Sequence, residues 1–494
     1  MPTPTSANLS RRDFLSATAL VGSGLLAGVA PTLLAQTPPP TPSDTPRRRR
    51  YAVVGLGARY SMYRNAILDT YSAHAELVAL CDNNAGRLAL ARRKIRKKTG
   101  AEVPGFSDAD FDRLVRETRP DIVIVTTKDS THHTYLIRAM ELGCDVITEK
   151  PMTTDAQKCR AILEASHRTG RKVIVTFNYR YSPPRTQVKE LLMDGVIGDI
   201  LSVDFHWLLD THHGADYFRR WHSQKAESGG LLVHKATHHF DLINWWLSAS
   251  PVSVQATGKR DFYTPAMARR LGLESHHERC HTCPEAAKCS FHLSLAANAN
   301  LRELYLDQEN HDGYFRDRCV FRPDIDIEDT MNVSVRYDTG ATLAYSLNAF
   351  NGWEGYHIAF NGTKGRLEHG VQEQVSVSGD GSVPGALKPE ATYIRIFPLR
   401  APAYAIPVRE GVGGHGGGDS VMLDDIFSPA PPADRFRRAS DERAGAASIL
   451  TGIAANEAIR TGQTVEIATL VPGLTRPDYT PMPSGTDPLP MPPR

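Results

Sequence analysis

The sequence predicts an α/β fold that begins with a doubly wound parallel sheet and continues into a second sheet domain. Short apolar strands alternate with helix-like stretches between residues 51 and 177, the order expected of consecutive β-α-β units. Longer strands, apolar or alternating, follow at 200–209, 252–258, 331–337, 342–349 and 357–361. This pattern is typical of a sheet that has one face covered by helices.

Length and composition agree with a multidomain globular protein. The chain has 494 residues, of which 41% are hydrophobic and 23% are charged, enough for more than one hydrophobic core. Its formal net charge of +2 lacks the basic character of a nucleic-acid-binding protein. We predict a targeting segment at 1–36, a Pro/Arg linker at 37–49, a nucleotide-binding domain at 50–170, a substrate domain at 171–470, and a disordered Pro-rich tail at 471–494.

The N-terminus carries an export signature. Ser10-Arg11-Arg12-Asp13-Phe14-Leu15 matches a twin-arginine signal, and a short, weakly apolar run follows it. That run is too short and mild for a membrane span, although a retained amphipathic anchor is an alternative. We expect the protein to use the twin-arginine export machinery, to be periplasmic or exported, and to have no membrane association in its mature form.

The first strand, 51–54, runs directly into Gly55-Leu56-Gly57-Ala58-Arg59. Gly55 permits a tight turn, and Gly57 lets backbone amides approach a pyrophosphate at a helix N-terminus. Asp82 ends the second strand, where a carboxylate accepts hydrogen bonds from ribose hydroxyls and repels the extra phosphate of NADP. Tyr60 stands at the third glycine position of the full motif, so a structural turn is the alternative. The pattern predicts an NAD site, with NADP the less favoured cofactor.

Two later strand ends point to the same crevice. Thr126 and Thr127 follow the strand 121–125, and their small side chains suit a position beneath a bound nucleotide. The strand 144–148 ends on Glu149-Lys150-Pro151. Ligands of open α/β sheets bind at the carboxyl ends of the strands. A solvated loop is the alternative for the charged end.

The order and spacing of these motifs resemble the glucose–fructose oxidoreductase/inositol dehydrogenase (Gfo/Idh/MocA) family over roughly residues 50–370. The resemblance rests on Gly-Leu-Gly, Asp82, Thr-Thr followed by His132, and Glu149-Lys150-Pro151. It implies a Rossmann domain, then an α+β domain with a large, mostly antiparallel sheet, and NAD(P)-dependent chemistry on sugars or cyclitols. It also implies that Lys150 lies near the reacting carbon. The predicted cofactor residues are Gly55, Gly57, Ala58, Arg59, Asp82, Thr126, Thr127, His132, Glu149 and Lys150.

Six histidines lie between the first two strands of the second domain: His212, His213, His222, His234, His238 and His239. In the family, a glycine pair opens a helix that carries Asp-x-x-x-His facing the nicotinamide. After Gly229-Gly230, His238 matches that histidine and His234 replaces the aspartate. Their i, i+4 spacing predicts that both lie on one helical face.

His238 also has the chemistry that the reaction needs. Oxidising a secondary alcohol removes a hydride and a proton, so a base of near-neutral pKa must reach the hydroxyl. Lys150 and a cationic nicotinamide would lower the pKa of His238 and keep it neutral. We predict that Lys150, His238 and His234 are catalytic. Packing within a helix layer is the alternative for each histidine, and a His-His metal pair is a further one.

Four cysteines, Cys280, Cys283, Cys289 and Cys319, fall in a polar insert at about 262–325. Four thiolates with one tight pair can hold a structural zinc ion, or an iron–sulfur cluster. We predict a metal site there; two disulfides are the alternative in an exported protein, and free thiols are the remaining one. The remaining cysteines, Cys81, Cys144 and Cys159, read as buried small residues.

The whole pattern predicts an NAD(P)-dependent oxidoreductase acting on a small-molecule sugar or cyclitol, and we expect a homo-oligomer. One alternative is a glycoside hydrolase that uses NAD transiently through oxidation, elimination, hydration and re-reduction. Another is a non-catalytic cofactor- or sugar-binding protein, which the change to His234 favours. A Gly-rich stretch from Gly413 to Asp419 reads either as a flexible turn or as a lip over the substrate crevice.

Overall fold

A computed structural model describes residues 47–373, 392–431, 433–483, 485–486, 488–489 and 491–492. The predicted targeting segment and most of the predicted linker lie outside the described residues. None of the described helices is both long and apolar enough to cross a membrane.

The first domain is a six-stranded parallel sheet with strand order β3-β2-β1-β4-β5-β6. Residues of β1 alternate between two cores: Ala52 and Val54 contact one, and Tyr51 and Val53 contact the other, as period-two side chains between two helical layers must. The predicted doubly wound sheet is confirmed. Its strands are β1 Arg49–Val54, β2 Ala75–Cys81, β3 Gly105–Phe106, β4 Ile122–Val125, β5 Asp145–Thr148 and β6 Val173–Val175.

The second domain contains a nine-stranded sheet. Among the strand pairs described in this second sheet, β7 and β10 are parallel and the others are antiparallel. Its order is β14-β13-β12-β11-β7-β10-β9-β8-β15. Buried and exposed residues alternate along β9, so one face is covered, as predicted. The strands are β7 Ile200–Asp210, β8 Pro251–Lys259, β9 Thr330–Tyr337, β10 Thr342–Asn351, β11 Gly355–Gly362, β12 Gly365–Gln372, β13 Thr392–Pro398, β14 Tyr404–Ile406 and β15 Val465–Glu466.

Helix ends follow the capping residues of the sequence. The side chains of Asn84, Asp155 and Asp441 accept hydrogen bonds from the first turns of α2, α5 and α15. The α-helices are α1 Tyr60–Asn65, α2 Ala85–Thr99, α3 Phe111–Thr118, α4 His132–Glu141, α5 Ala156–Thr169, α6 Pro183–Met193, α7 Thr211–Arg219, α8 Lys225–Ser228, α9 Leu231–His234, α10 Thr237–Leu247, α11 Pro265–Arg270, α12 Ala299–Leu304, α13 Glu309–Asp312, α14 Gly418–Phe427, α15 Glu442–Thr461 and α16 Ile467–Leu470.

The long helix α15 joins the two domains. It packs on α5 and β6 of the first domain and on α9, α10 and β8 of the second. This helix fixes α9 and α10 against the carboxyl ends of the first sheet, where the site lies.

Two expectations differ from the structure. His234 and His238 do not share one helix: α9 ends at His234 and α10 begins at Thr237, and the His234 carbonyl accepts a hydrogen bond from the Lys150 ammonium (3.2 Å). The expected disorder of the tail is wrong for its first part. Tyr479 and Thr480 are buried, and the Ser248 hydroxyl donates to the Thr480 carbonyl (2.6 Å).

Candidate active site

A cleft lies at the carboxyl ends of β1, β2, β4 and β5, where the first domain faces α9 and α10. Its volume is about 560 Å3, a size typical of small-molecule and cofactor sites. Every residue predicted for the cofactor or for catalysis lines it: Gly55, Gly57, Ala58, Arg59, Asp82, Thr126, Thr127, His132, Glu149, Lys150, His234 and His238.

The glycine loop has the geometry of a phosphate cradle. Gly55 has φ +88°, and a Cβ there would lie 2.7 Å from the backbone of Thr126 and Thr127, so only glycine fits. A Cβ at Gly57 would have one neighbour within 4 Å, the Tyr305 hydroxyl at 3.9 Å. The loop therefore packs tightly against β4 at Gly55 and faces open space at Gly57, as a dinucleotide pyrophosphate requires.

Asp82 lies at the end of β2 with 5% of its surface exposed. Its carboxylate accepts from the Leu56 amide (2.6 Å), the Asn84 amide (2.7 Å) and the Arg87 guanidinium (3.2 Å). A carboxylate has about four acceptor sites, so capacity for a ribose hydroxyl is left. Together with the glycine loop, these groups fit the adenosine half of NAD.

Thr126 and His132 hold the neighbouring loops in place. The Thr126 hydroxyl donates to the Gly55 carbonyl (2.5 Å). The buried His132 ring lies 2.9 Å from the Pro151 carbonyl and 3.2 Å from the Thr127 carbonyl. Burial lowers the pKa of His132, so the ring is neutral and one of its nitrogens donates. His132 thus ties the Thr126-Thr127 loop to the Glu149-Lys150-Pro151 corner.

Glu149 organises the floor of the cleft. It accepts from the Arg59 guanidinium (2.5 Å) and from the Tyr63 hydroxyl (2.7 Å). Arg59 reaches in addition the Asp419 carboxylate (3.4 Å). Glu149 and Arg59, both predicted cofactor residues, are therefore paired with each other beside the glycine loop.

Lys150 faces the substrate domain. Its ammonium donates to the His234 carbonyl (3.2 Å). Burial lowers the pKa of Lys150 to about 8, against the opposing charge of Asp129. With a pKa of about 8, the lysine loses its proton close to neutral pH. Such a shifted pKa is common in residues that act in catalysis.

His234 pairs with Asp129, a residue that the sequence interpretation missed. Their Nδ1 and Oδ2 atoms lie 2.5 Å apart, and both side chains are buried. Burial raises the pKa of Asp129 well above its usual value, and burial together with Lys150 lowers the pKa of His234. The resemblance places an aspartate where this chain has His234, and the carboxyl group beside His234 comes instead from the turn Asp129–Thr131 of the first domain.

His238 stacks on Tyr179, with ring centroids 4.2 Å apart. Burial and the charge of Lys150 lower the pKa of His238 well below 6.5, so the imidazole is neutral. Its Nδ1 has no hydrogen-bond partner among the described residues. A neutral, oriented imidazole in the cleft is suited to accept a proton.

The remaining predicted histidines divide between cleft and scaffold. His222 lines the cleft with its ring 4.2 Å from that of His234. His213 pairs with Glu354 (2.6 Å), and His239 contacts the Tyr345 hydroxyl (2.7 Å) beneath the sheet. His212 is exposed. Of the six, His222, His234 and His238 thus belong to the site.

The Gly-rich segment from Gly413 forms part of the cleft wall, as a lip would. His415 lines the cleft and lies 2.9 Å from Asp419, which accepts in addition from the Asn178 amide (2.7 Å). The hydrogen bond from His415 lowers the pKa of Asp419 although burial opposes it. The position of His415 is a product of the tertiary fold that the sequence did not signal.

The predicted metal site is not supported. Cys280, Cys283, Cys289 and Cys319 line one separate cavity of about 20 Å3. Within the described part of the chain, however, no group of three or more His, Cys, Asp or Glu side chains is arranged to hold a metal ion. The disulfide alternative is not formed either, since all four are free thiols.

Two family models match the chain. Residues 49–177 match the NAD-binding Rossmann fold of an oxidoreductase family named GFO_IDH_MocA, and residues 189–467 match its C-terminal alpha/beta domain. The oxidoreductase YteT of Bacillus subtilis is 40% identical over 406 residues, which cover 81% of this chain and 93% of that protein. An inositol 2-dehydrogenase of Rhizobium meliloti is 29% identical over 208 residues, 42% of this chain and 58% of that protein.

Solved structures share the fold. An aldose-aldose oxidoreductase of Caulobacter crescentus, complexed with glycerol, gives a TM-score of 0.54 at 19% identity over 85% of this chain and 100% of that one. The WlbA dehydrogenase of Bordetella pertussis, in complex with NADH and UDP-GlcNAcA, gives 0.56 at 19% identity over 85% and 99%. The chain belongs to the Gfo/Idh/MocA oxidoreductase family and is an NAD(P)-dependent oxidoreductase.

Proposed function

We propose that this protein oxidises a secondary alcohol of a sugar or cyclitol derivative, with NAD as the acceptor. The observation that carries the proposal is the meeting of Lys150, the Asp129–His234 pair and His238 at one end of the cleft. The names of the relatives, among them inositol 2-dehydrogenases, support a polyhydroxylated substrate.

Each side chain has a distinct part in the reaction. Bound NAD would supply the acceptor for the hydride that leaves the alcohol carbon. The neutral imidazole of His238 takes the hydroxyl proton as the carbonyl forms. The Lys150 ammonium hydrogen-bonds the substrate oxygen and stabilises the negative charge that develops on it.

Asp129 and His234 position this machinery. The Asp129 carboxyl group lies 2.5 Å from Nδ1 of His234, and this contact fixes the tautomer and the orientation of the ring. The His234 carbonyl in turn holds the Lys150 ammonium at 3.2 Å. Asp129 therefore acts on the reaction through Lys150 and His234, and we assign it as a positioning residue.

The test is a substrate survey on the purified protein, from which any bound cofactor is not removed. Inositols, aldoses and uronates are added with NAD, and reduced nicotinamide is followed by absorbance. Substrate-dependent reduction that disappears in the His238→Ala variant supports the proposal. Full activity in that variant contradicts it.

A second candidate is an NAD-dependent glycoside hydrolase. Tyr305, Asp312 and Tyr314 of the insert cover the cofactor end of the cleft. This arrangement favours the hydrolase, because a cofactor that is recycled within each turnover does not need to leave the site. Aryl glycosides without added NAD distinguish the candidates. Sustained phenol release over many turnovers supports the hydrolase, and NADH formation without phenol release supports the dehydrogenase. A protein inactive in both assays that still binds NAD would be a binding protein.

We further infer that the protein is exported folded through the twin-arginine route, from Arg11-Arg12 and the apolar run that follows. Replacing both arginines by lysine should retain the protein in the cytoplasm. Unchanged periplasmic recovery would contradict this inference.

A further inference from the structure

The Cys-rich insert reaches across to the cofactor-binding side of the first domain. We call its segment 299–316 the clasp. The Ala58 amide of the glycine loop donates to the Tyr305 hydroxyl (3.3 Å), and the Asn84 side chain donates to the Gln308 carbonyl (2.9 Å). Farther along α2, the Lys94 ammonium pairs with Glu303 (2.7 Å). These contacts follow the path that the adenosine and pyrophosphate of a dinucleotide take from β2 to the glycine loop.

The clasp packs closely on the first turn of α2. A Cβ at Gly86, in the first turn of α2, would lie 2.0 Å from the Gln308 side-chain oxygen and 2.6 Å from the His311 ring. Gly86 therefore lies directly beneath the clasp. The clasp contributes Tyr305, Asp312 and Tyr314 to the wall of the cleft.

A carboxylate of the clasp completes the charge pattern beside the ribose site. Arg87 lies between Asp82 (3.2 Å) and Asp312 (2.6 Å), and all three side chains are at least 88% buried. The Arg87 guanidinium is thus committed to two carboxylates. A 2′-phosphate at this point would meet both negative charges and would have to displace one of them from the cation.

The clasp is anchored at its far end by charged contacts. Arg279 pairs with Glu309 and with Asp317 (2.8 Å each), and Asp317 accepts from the His281 amide of the cysteine loop (2.8 Å). Arg316 pairs with Asp216 of the second domain (2.5 Å) with both side chains buried. The clasp therefore connects the cysteine loop, the second domain and the nucleotide-binding edge.

We propose that the clasp is part of the cofactor site: it retains the dinucleotide through turnover, and its Asp312 selects NAD over NADP. The proposal rests on the function proposed above, because it concerns the same cleft. Tyr305 closes over the glycine loop, and Asp312 keeps Arg87 from serving a 2′-phosphate. An enzyme built in this way works with a resident cofactor.

The experiment measures cofactor release and cofactor choice in the full-length protein. The variants are Tyr305→Phe, which keeps the ring and removes the hydroxyl, and Asp312→Asn, which keeps the shape and removes the charge. Arg302→Ala is the matched control, because this exposed arginine of the clasp pairs with Asp307 within the clasp itself. Release of bound NADH is followed by its fluorescence after a chase with excess NAD, and affinities for NAD and NADP are measured by calorimetry.

We expect at least about tenfold faster release from each variant, because changes in affinity appear mostly in the dissociation rate. The preference for NAD over NADP should shrink about tenfold in Asp312→Asn and stay unchanged in Tyr305→Phe, because only the first frees Arg87 for a phosphate. The control should match the parent protein in both measurements.

The outcomes separate the two proposals. If the parent protein binds and reduces NAD but both variants release it at the parent rate with the parent preference, the clasp inference is wrong and the proposed function stands. If the parent protein binds no dinucleotide, both are wrong. Faster release in the control as well would show that general loosening of the insert is responsible, and it would overturn the specific roles of Tyr305 and Asp312.

Discussion

The two ends of the cleft differ in how completely the protein satisfies its own polar groups. At the cofactor end, the carboxylates of Asp82 and Glu149 each have two or more hydrogen-bond partners within the protein. At the substrate end, the buried Nδ1 atoms of His222 and His238 have none among the described residues. An unsatisfied buried polar atom costs about 1–3 kcal/mol. The two carboxylates of the cofactor end are therefore satisfied within the protein, whereas the two histidines gain when a ligand supplies hydrogen bonds.

The electrostatics of the substrate end point in the same direction. Lys150, Asp129, His234 and His238 all have pKa values displaced by burial toward their neutral forms. Such displacement costs stability and is retained where proton transfer needs it. The comparison thus assigns binding to one end and chemistry to the other, and substitutions at the two ends should separate these properties.

The largest effect should come from His238 and Lys150. Replacing either by alanine should lower turnover by about 100-fold or more, the usual contribution of a positioned acid–base group. NAD affinity should change little, because the cofactor end keeps all its contacts. Steady-state kinetics and calorimetry measure the two quantities separately.

A matched histidine controls for surface effects. His212 lies in the same cluster of the sequence but is exposed, so His212→Ala should keep full activity. Loss of NAD binding in His238→Ala would contradict the division between the two ends.

A smaller effect is expected for Asp129, which acts through His234. Asp129→Asn should lower turnover about tenfold, because the uncharged amide cannot replace the carboxyl group next to the His234 imidazole. It should also change the pH profile. Ser130→Ala is the control, because Ser130 lies on the same turn but donates to Glu227 (2.6 Å). A fall in turnover without any change in the pH profile would reduce Asp129 to a purely structural residue.

The cofactor end was predictable because it is local. Gly55, Gly57 and Asp82 follow strands directly, and the backbone geometry of a β-α-β unit dictates where they lie. The glycine after a strand and the acid at a strand end are visible in a short window of sequence. Lys150 follows the same rule at the end of β5.

The substrate end was predictable only in part. His238 was found through its motif, but Asp129 reaches His234 across 105 positions. The cofactor end has one contact of the same kind, because Asp312 of the insert reaches Arg87 across 225 positions. No local period signals such contacts, which depend on how the domains and the insert pack. The break between α9 and α10 was not predicted either, since the i, i+4 spacing of two histidines does not show whether one helix continues between them.

The preference for NAD over NADP tests the role of Asp82 at the cofactor end. Because Asp82 accepts where the ribose hydroxyls are expected, NAD should bind at least about tenfold more tightly than NADP, equivalent to about 1.4 kcal/mol. Calorimetric titration of the cofactor-free protein with each dinucleotide measures the ratio. Equal or reversed affinities would mean that Asp82 does not face the ribose.

The mildest test uses pH and concerns Lys150. The pKa of Lys150 is lowered to about 8, mainly by burial, so the amine is cationic below that pH and neutral above it. If the ammonium stabilises negative charge on the substrate oxygen, turnover should fall as pH rises through about 8. His238 should add no limb near neutral pH, because burial holds its pKa well below 6.5 and the ring stays unprotonated.

In Lys150→Arg the alkaline limb should disappear, since the guanidinium does not lose its proton. Lys128→Ala is the control and should keep the limb, because this more exposed lysine of the cleft pairs with Glu227 (3.3 Å). An unchanged limb in Lys150→Arg would assign the titration to another group and would remove the charge-stabilising role from Lys150.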